Sequence, residues 1–227
     1  MPAPLFALER IDELMFYEIM YYLTSVLGLV LFGYYYRNRE KLDPVMAATG
    51  PFMWLTAVSC IYEVVFTRWL FVDATAWFRI YSLLEIAALL YFFRKAVLGY
   101  RVLFWISAVV YLGSFVYMLI RFEEYDIQEA DQVLSLITTL VVYAYTIAWF
   151  RQKFIHLDDE SLLQSGAFYF ISALLIYFSA TIFLFLSAKM IYSNNKELYV
   201  QYWTFNVVMV TLTRLICIIA IWKGRKI

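Results

Sequence analysis

Histidine is almost absent from this sequence: His156 is the one instance in 227 residues. That excludes bis-histidine haem ligation, the usual histidine-containing zinc sites and an HExxH metalloprotease. Cysteine is nearly as scarce. Cys60 and Cys217 both lie inside apolar runs. The segment assignment below puts them at different depths, so no disulfide is expected and both read as small buried apolar residues. There is no GxSxG elbow, no glycine-rich phosphate loop and no aspartate deep in an apolar run. Basic and acidic residues number 18 each, so net charge argues for no nucleic-acid partner. No polar stretch is long enough to hold a soluble catalytic domain. The sequence therefore offers no catalytic residue, no metal ligand and no cofactor motif.

Apolar surface is what the chain has in excess. Hydrophobic residues make up 64% of it, well above the half expected of a water-soluble domain. Twenty tyrosines and seven tryptophans suit a protein with two lipid–water interfaces to anchor. A membrane-crossing helix needs about 20 predominantly apolar residues. Seven stretches qualify, at about 14–36, 45–71, 74–93, 101–121, 132–150, 163–190 and 198–222. The fold expected is an all-α membrane protein, a seven-transmembrane-helix bundle forming a single membrane domain over 1–227. Met1–Leu8 has no basic residue ahead of the first apolar run, so the first helix is expected to act as its own insertion signal.

Local signals mark the breaks. Asp43-Pro44 reads as an N-cap followed by proline at the first helical position. Asp73 is placed to cap the third helix, and Asn194 with Glu197 has capping-box spacing before the seventh. Gly50-Pro51 predicts a kink early in the second helix.

Orientation follows from Lys and Arg near the helix ends. One side carries Arg37, Arg39, Lys41, Arg94, Lys95, Arg101, Arg151, Lys153, Lys223, Arg225 and Lys226. The other carries Arg10, Arg121, Lys189 and Lys196, together with the acidic loop of Glu123, Glu124, Asp126 and Glu129. The basic side is expected in the cytoplasm, with the N-terminus outside and the C-terminus inside, in the plasma (inner) membrane. Tyr34-Tyr35-Tyr36, Tyr91-Phe92-Phe93, Trp149-Phe150 and Trp222 stand just before the basic clusters, as interfacial rings should.

Six ionisable residues fall inside the spans: Glu18, Glu63, Arg68, Arg79, Glu85 and Arg214. Each costs about 2.5–3.5 kcal/mol at a helix centre on insertion scales, so they are expected to face the interior and pair. Glu85 precedes Arg94 by nine residues and Arg214 precedes Lys223 by nine, which places both near mid-depth on inward-running helices. Glu85 with Arg214 and Glu63 with Arg79 are the expected pairs. Thr56, Ser59, Glu63 and Thr67 form a stripe at helical spacing. Arg79, Ser82 and Glu85 share a face, as do Glu18, Tyr22 and Ser25. Asn206, Thr213 and Arg214 lie close together around the seventh helix. Helices one, two, three and seven thus present polar faces. These residues are either an ion-pair network that fixes packing or a polar cavity that binds something.

Helix six carries Ser165-Gly166, Ser172-Ala173, Ser179-Ala180 and Ser187-Ala188 at near-heptad intervals. Small residues at this period let another backbone approach closely. The seam serves packing within the chain or an interface with a membrane-protein partner or a second copy. No internal repeat is evident, so an inverted-repeat transporter is not supported.

Glu63 and Arg68 have the spacing of the EExxxR motif of CAAX-type membrane proteases, but Val64 replaces the second glutamate and the required histidines are missing. The run Phe78–Lys95, FRIYSLLEIAALLYFFRK, with Tyr81–Glu85 at its centre and a glutamate in the preceding helix, resembles a group of small uncharacterised seven-helix bacterial integral membrane proteins. That resemblance implies the bundle and no particular activity. The helix count and external N-terminus are similar to microbial rhodopsins in topology only, since Arg214 stands mid-helix seven and no lysine there can form a Schiff base. The expected function is a non-enzymatic membrane module, a receptor-like sensor or accessory subunit that binds a ligand or a partner protein through the polar intramembrane residues. The alternative is a small transporter or proton/ion pathway using Glu63 and Glu85.

Overall fold

The computed structural model describes the backbone of residues 3–120, 127–156, 162–194 and 196–226, and side chains within these except at 3–14, 75, 127–131, 156, 189, 192–194 and 196–200. Arg10, Arg121, the acidic loop, Lys189, Lys196, the Asn194–Glu197 capping box and the His156 side chain fall outside the description.

The described residues are almost entirely helical, and seven helices are long and apolar enough to cross a membrane, the mark of a multi-pass membrane protein. They are α1 (Ala3–Asn38), α2 (Pro44–Trp69), α3 (Thr75–Ala96), α4 (Arg101–Ile120), α5 (Ile127–His156), α6 (Gly166–Asn194) and α7 (Lys196–Lys223). Each begins or ends within a few residues of its expected boundary, except that α1 starts earlier and α5 runs longer at both ends.

Helix α2 departs most from expectation. Asp43 caps it as the sequence suggested, its Oδ1 accepting from Val45 N (2.8 Å) and Met46 N (2.9 Å). The kink predicted at Gly50-Pro51 is a full break instead. One turn, Pro44–Ala47, stops before Gly50–Ile61 resumes with proline in its first turn. Proline lacks the amide that would carry the ladder across, which accounts for the interruption there. The last two turns, Tyr62–Trp69, are a π-helix. It closes with wide bonds, Leu70 N to Val65 O (3.0 Å) and Val72 N to Phe66 O (2.9 Å), and with Phe71 in the left-handed region at φ 53°. The cap position of α3 is Ala74, one residue past the Asp73 expected there.

The packed core occupies one half of the bundle. Leu31 of α1, Met46 and Met53 of α2, Leu89, Phe92 and Phe93 of α3, Tyr145 and Trp149 of α5, Phe170 and Ile171 of α6 and Ile221 of α7 are all buried. All belong to the stretches nearest the basic loops. Phe170 meets Phe92 edge-on at 4.6 Å, and Phe93 stacks on Tyr145 at 4.8 Å. Several buried threonines in the spans return their hydroxyls to their own helix. Thr56 donates to Phe52 O (2.9 Å) and Thr181 to Tyr177 O (2.8 Å), so these polar atoms need no outside partner.

At the basic end the C-terminal tail is pinned to the α1–α2 connection. Asp43 N donates to Gly224 O (2.9 Å) and Lys226 N to Lys41 O (2.7 Å). Helices α6 and α7 form the most extensive pair. Gly166 explains their closeness: a Cβ there would stand 2.5 Å from Ala220 O and 2.6 Å from Gly224 Cα. Ala173 is fully buried, while Ser179 accepts a hydrogen bond from Tyr143 of α5 (2.9 Å). Gly166 and Ala173 of the small-residue seam therefore pack inside this chain, while Ser179 is exposed. Helix α4 sits at the periphery, with Val102, Trp105, Ile106 and Val109 facing outward.

Candidate functional site

The half of the bundle away from the core is hollow. A cavity of about 360 Å³ lies between α1, α2, α3, α5, α6 and α7. That is at the low end of small-molecule sites. Five of the seven residues singled out from the sequence line it: Glu63, Arg68, Glu85, Asn206 and Arg214. Glu18 stands beside it and reaches in through Arg68. Arg79 lies apart from the lining, its carbonyl accepting from Ser82 Oγ (2.9 Å).

The side chains are not paired as the sequence suggested. Glu63 accepts a hydrogen bond from Ser59 Oγ (2.8 Å), not from Arg79. Glu85 accepts from Tyr81 Oη (3.3 Å), not from Arg214. Both donors are neutral hydroxyls one helical turn away, so each carboxylate is oriented by its own helix and, among the described residues, has no contacting cation. Arg214 instead donates to the Thr24 carbonyl of α1. Thr24 in turn bonds the Thr211 hydroxyl of α7. Gly28 makes room for this: a Cβ on it would stand 3.1 Å from the Arg214 guanidinium and would collide with Cys60 Sγ.

Among the described residues, Glu18 and Arg68 form an ion pair (2.7 Å). Both are partly exposed, and the guanidinium also lies over the ring of Tyr21 at 4.6 Å. The π-helix makes this possible. In an α-helix, residues five apart point about 140° away from one another. In a π-helix the i→i+5 bonds bring them nearly into line. Glu63, Thr67 and Arg68 consequently all face the cavity, where α-helical geometry would have turned Arg68 aside.

Sequence reasoning missed the aromatic wall. Tyr17 and Tyr21 of α1, Tyr81 of α3, Tyr177 and Phe185 of α6 and Trp203 of α7 all line the cavity. The signal was present in α1, where Tyr17, Tyr21 and Ser25 recur every four residues, whereas Tyr22 faces outward. Helix α6, read as a packing helix, also contributes to the site, and the Tyr177 hydroxyl lies 3.5 Å from Asn206 Oδ1.

Two carboxylates with no cation in contact among the described residues, the guanidinium groups of Arg68 and Arg214 and several tyrosines form a site suited to a small polar ligand. A cationic centre would meet Glu63 and Glu85, with tyrosine faces beside it. Among the described residues no three His, Cys, Asp or Glu side chains come together as a metal site, and Cys60 and Cys217 are free buried thiols. Comparison with protein-family models, with curated proteins and with solved structures finds no match.

Proposed function

We propose that this chain is a ligand-binding membrane module, a receptor-like sensor or accessory subunit without catalytic activity of its own. We take its N-terminus as external and its C-terminus as cytoplasmic in the plasma membrane, on the strength of eleven basic residues at one end against four at the other. In that orientation the cavity belongs to the outer half of the bundle and the aromatic core to the inner half. The chain would then be a bacterial integral membrane protein of the small seven-helix kind that the Tyr81–Glu85 region resembles.

One observation carries the reading. Glu63 and Glu85 line a cavity with no cation in contact with either. A purely architectural network would pair them, because an unpaired intramembrane charge is costly and marks function by default. The ligand best suited is a small polar molecule with a cationic centre. The test is purification of the full chain in mild detergent, with organic extraction and mass spectrometry of what accompanies it. A small cationic molecule is expected from the wild type and is expected to be lost from Glu63→Gln/Glu85→Gln. A folded, monodisperse wild type that carries nothing and gains no thermal stability from a library of small amines would overturn the reading.

The runner-up is a transport or proton pathway through Glu63 and Glu85. The two carboxylates with their hydroxyl donors, Ser59 and Tyr81, favour it. The core beyond them disfavours it, since Phe92, Phe93 and Phe170 are fully buried and block the way to the basic end. Flux in proteoliposomes that Glu85→Gln abolishes would decide for transport.

A further inference from the structure

At the basic end, away from the cavity just described, α3 and α4 are joined by a short reversal at Val97–Tyr100. Gly99, at φ 84°, turns the chain there. The reversal sets Arg94, near the end of α3, and Arg101, the first residue of α4, around a second cavity of about 540 Å³. No acidic side chain lines it, and neither arginine has an ion-pair partner among the described residues. The Arg94 guanidinium rests over Phe104 at 5.4 Å. Tyr145 also lines the space. It is buried, and among the described residues its hydroxyl makes no hydrogen bond that meets ordinary geometric limits. A buried hydroxyl left unpaired costs stability unless something else satisfies it.

Arg94 and Phe104 line a further space as well. This is an apolar slot of about 250 Å³ that runs between α3 and α4 past Ala87, Leu90 and Ala108. A chamber holding two guanidinium groups thus lies beside an apolar slot, with Arg94 and Phe104 as the wall they share. Guanidinium groups bind phosphate oxygens in forked pairs, and basic pockets between membrane helices are sites for anionic headgroups.

We propose that this groove holds one anionic glycerophospholipid, with its phosphate between Arg94 and Arg101 and one acyl chain in the α3–α4 slot. The slot selects a lipid over a soluble phosphate ester, and the two arginines select an anionic headgroup over a zwitterionic one. This site is independent of the outer cavity and of any ligand held there.

The experiment is native mass spectrometry of the full chain in mild detergent, titrated with phosphatidylglycerol, with phosphatidylcholine and with deacylated glycerophosphoglycerol. Phosphatidylglycerol is expected to bind at least tenfold more tightly than phosphatidylcholine, and the deacylated headgroup is expected not to compete. Arg94→Gln/Arg101→Gln should weaken binding about 25-fold, at roughly fivefold for each basic residue. Ala108→Phe fills the slot without touching the charges and should abolish the advantage of the lipid over its deacylated headgroup. Tyr145→Phe removes a hydroxyl that bonds to nothing in the protein, so the fold should stand while lipid retention falls a few-fold. Arg37→Gln/Arg39→Gln, with equal charge loss at the same end, should bind as the wild type does. The proposal fails if that control loses as much affinity as the Arg94/Arg101 pair, which would mean diffuse surface attraction. It also fails if the headgroup alone competes as well as the lipid, or if the two lipids bind alike. Should the arginine double variant not fold, Ala108→Phe and Tyr145→Phe decide between these outcomes.

Discussion

Replacing Gly166 by alanine tests the packing of the small-residue seam most directly. Its added Cβ would lie 2.5 Å from Ala220 O, 2.6 Å from Gly224 Cα and 2.7 Å from Gly224 N. All three are backbone atoms, and they cannot swing aside as the end of a side chain can. They are also tied down. Gly224 N donates to Ala220 O (2.9 Å), and Gly224 O accepts from Asp43 N (2.9 Å), which locks the end of α7 to the start of α2. The helices must therefore part by most of an ångström. A gap of that size forfeits a quarter to a half of the dispersion attraction wherever it opens, and overpacking of this kind costs about 1–3 kcal/mol. Gly166 is the first residue of α6, so the gain in helix propensity from alanine offsets little. A net loss of about 2 kcal/mol is expected. Gly33 and Gly113 supply the comparison. No heavy atom lies within 4 Å of a Cβ built on either, so alanine there should be neutral or stabilising by up to about 1 kcal/mol. The measurement is equilibrium unfolding by SDS in mixed micelles, followed by circular dichroism, with oligomeric state checked by size exclusion. A Gly166→Ala protein as stable as Gly113→Ala would refute the argument. So would a change in oligomeric state at constant stability, which would place the seam between two copies.

Three other outcomes are expected. Asp43→Ala removes an acceptor for two amides and should cost about 0.5–2 kcal/mol in the same unfolding assay, with Asp43→Asn close to wild type. The Glu18–Arg68 pair is one-third to two-fifths exposed, so a double-mutant cycle with Glu18→Gln and Arg68→Gln should give a coupling below about 1 kcal/mol that shrinks with salt. In a background of Cys60→Ala/Cys217→Ala, cysteines placed at Thr67 and Ser82 should react with a charged thiol reagent, because both line the hollow half. Cysteines at Leu89 and Phe170, both fully buried in the core, should not react, and equal labelling of the two sets would contradict the half-packed, half-hollow bundle.

The seven helices were legible in the sequence because their signal is collective: some 20 apolar residues must follow one another wherever a helix crosses lipid. The Asp43 cap was legible because one residue type at one position satisfies a local need. Most of the polar face was legible too, since an intramembrane charge must point inward, and Glu63, Glu85 and Arg214 do. What was not legible depends on tertiary distance. The expected Glu85–Arg214 pair assumed that equal depth means contact. The guanidinium instead found a backbone carbonyl, that of Thr24, because Gly28 brings α1 close to α7 at that level. The π-helix left no trace in residue composition, yet it decides where Arg68 points. The aromatic lining escaped notice because tyrosines are so common in the chain that those facing the cavity do not stand out from those facing lipid.

The distribution of packing bears on why such charges persist. In the half near the basic loops, buried rings from α2, α3, α5 and α6 interlock, with Phe52 and Phe92 both edge-on to Phe170. That contact network holds the helices together without help from the polar residues. The other half then does not need its carboxylates for cohesion. Glu63 and Glu85 confirm as much by their partners, each a single hydroxyl four residues earlier on the same helix, which contributes nothing to helix–helix attachment. Arg214 does link α7 to α1, but through a carbonyl, so it would hold those helices equally well if both glutamates were glutamine. Here two residues whose cost of about 2.5–3.5 kcal/mol is not returned as packing face the same 360 Å³, which is the arrangement the proposed binding role requires.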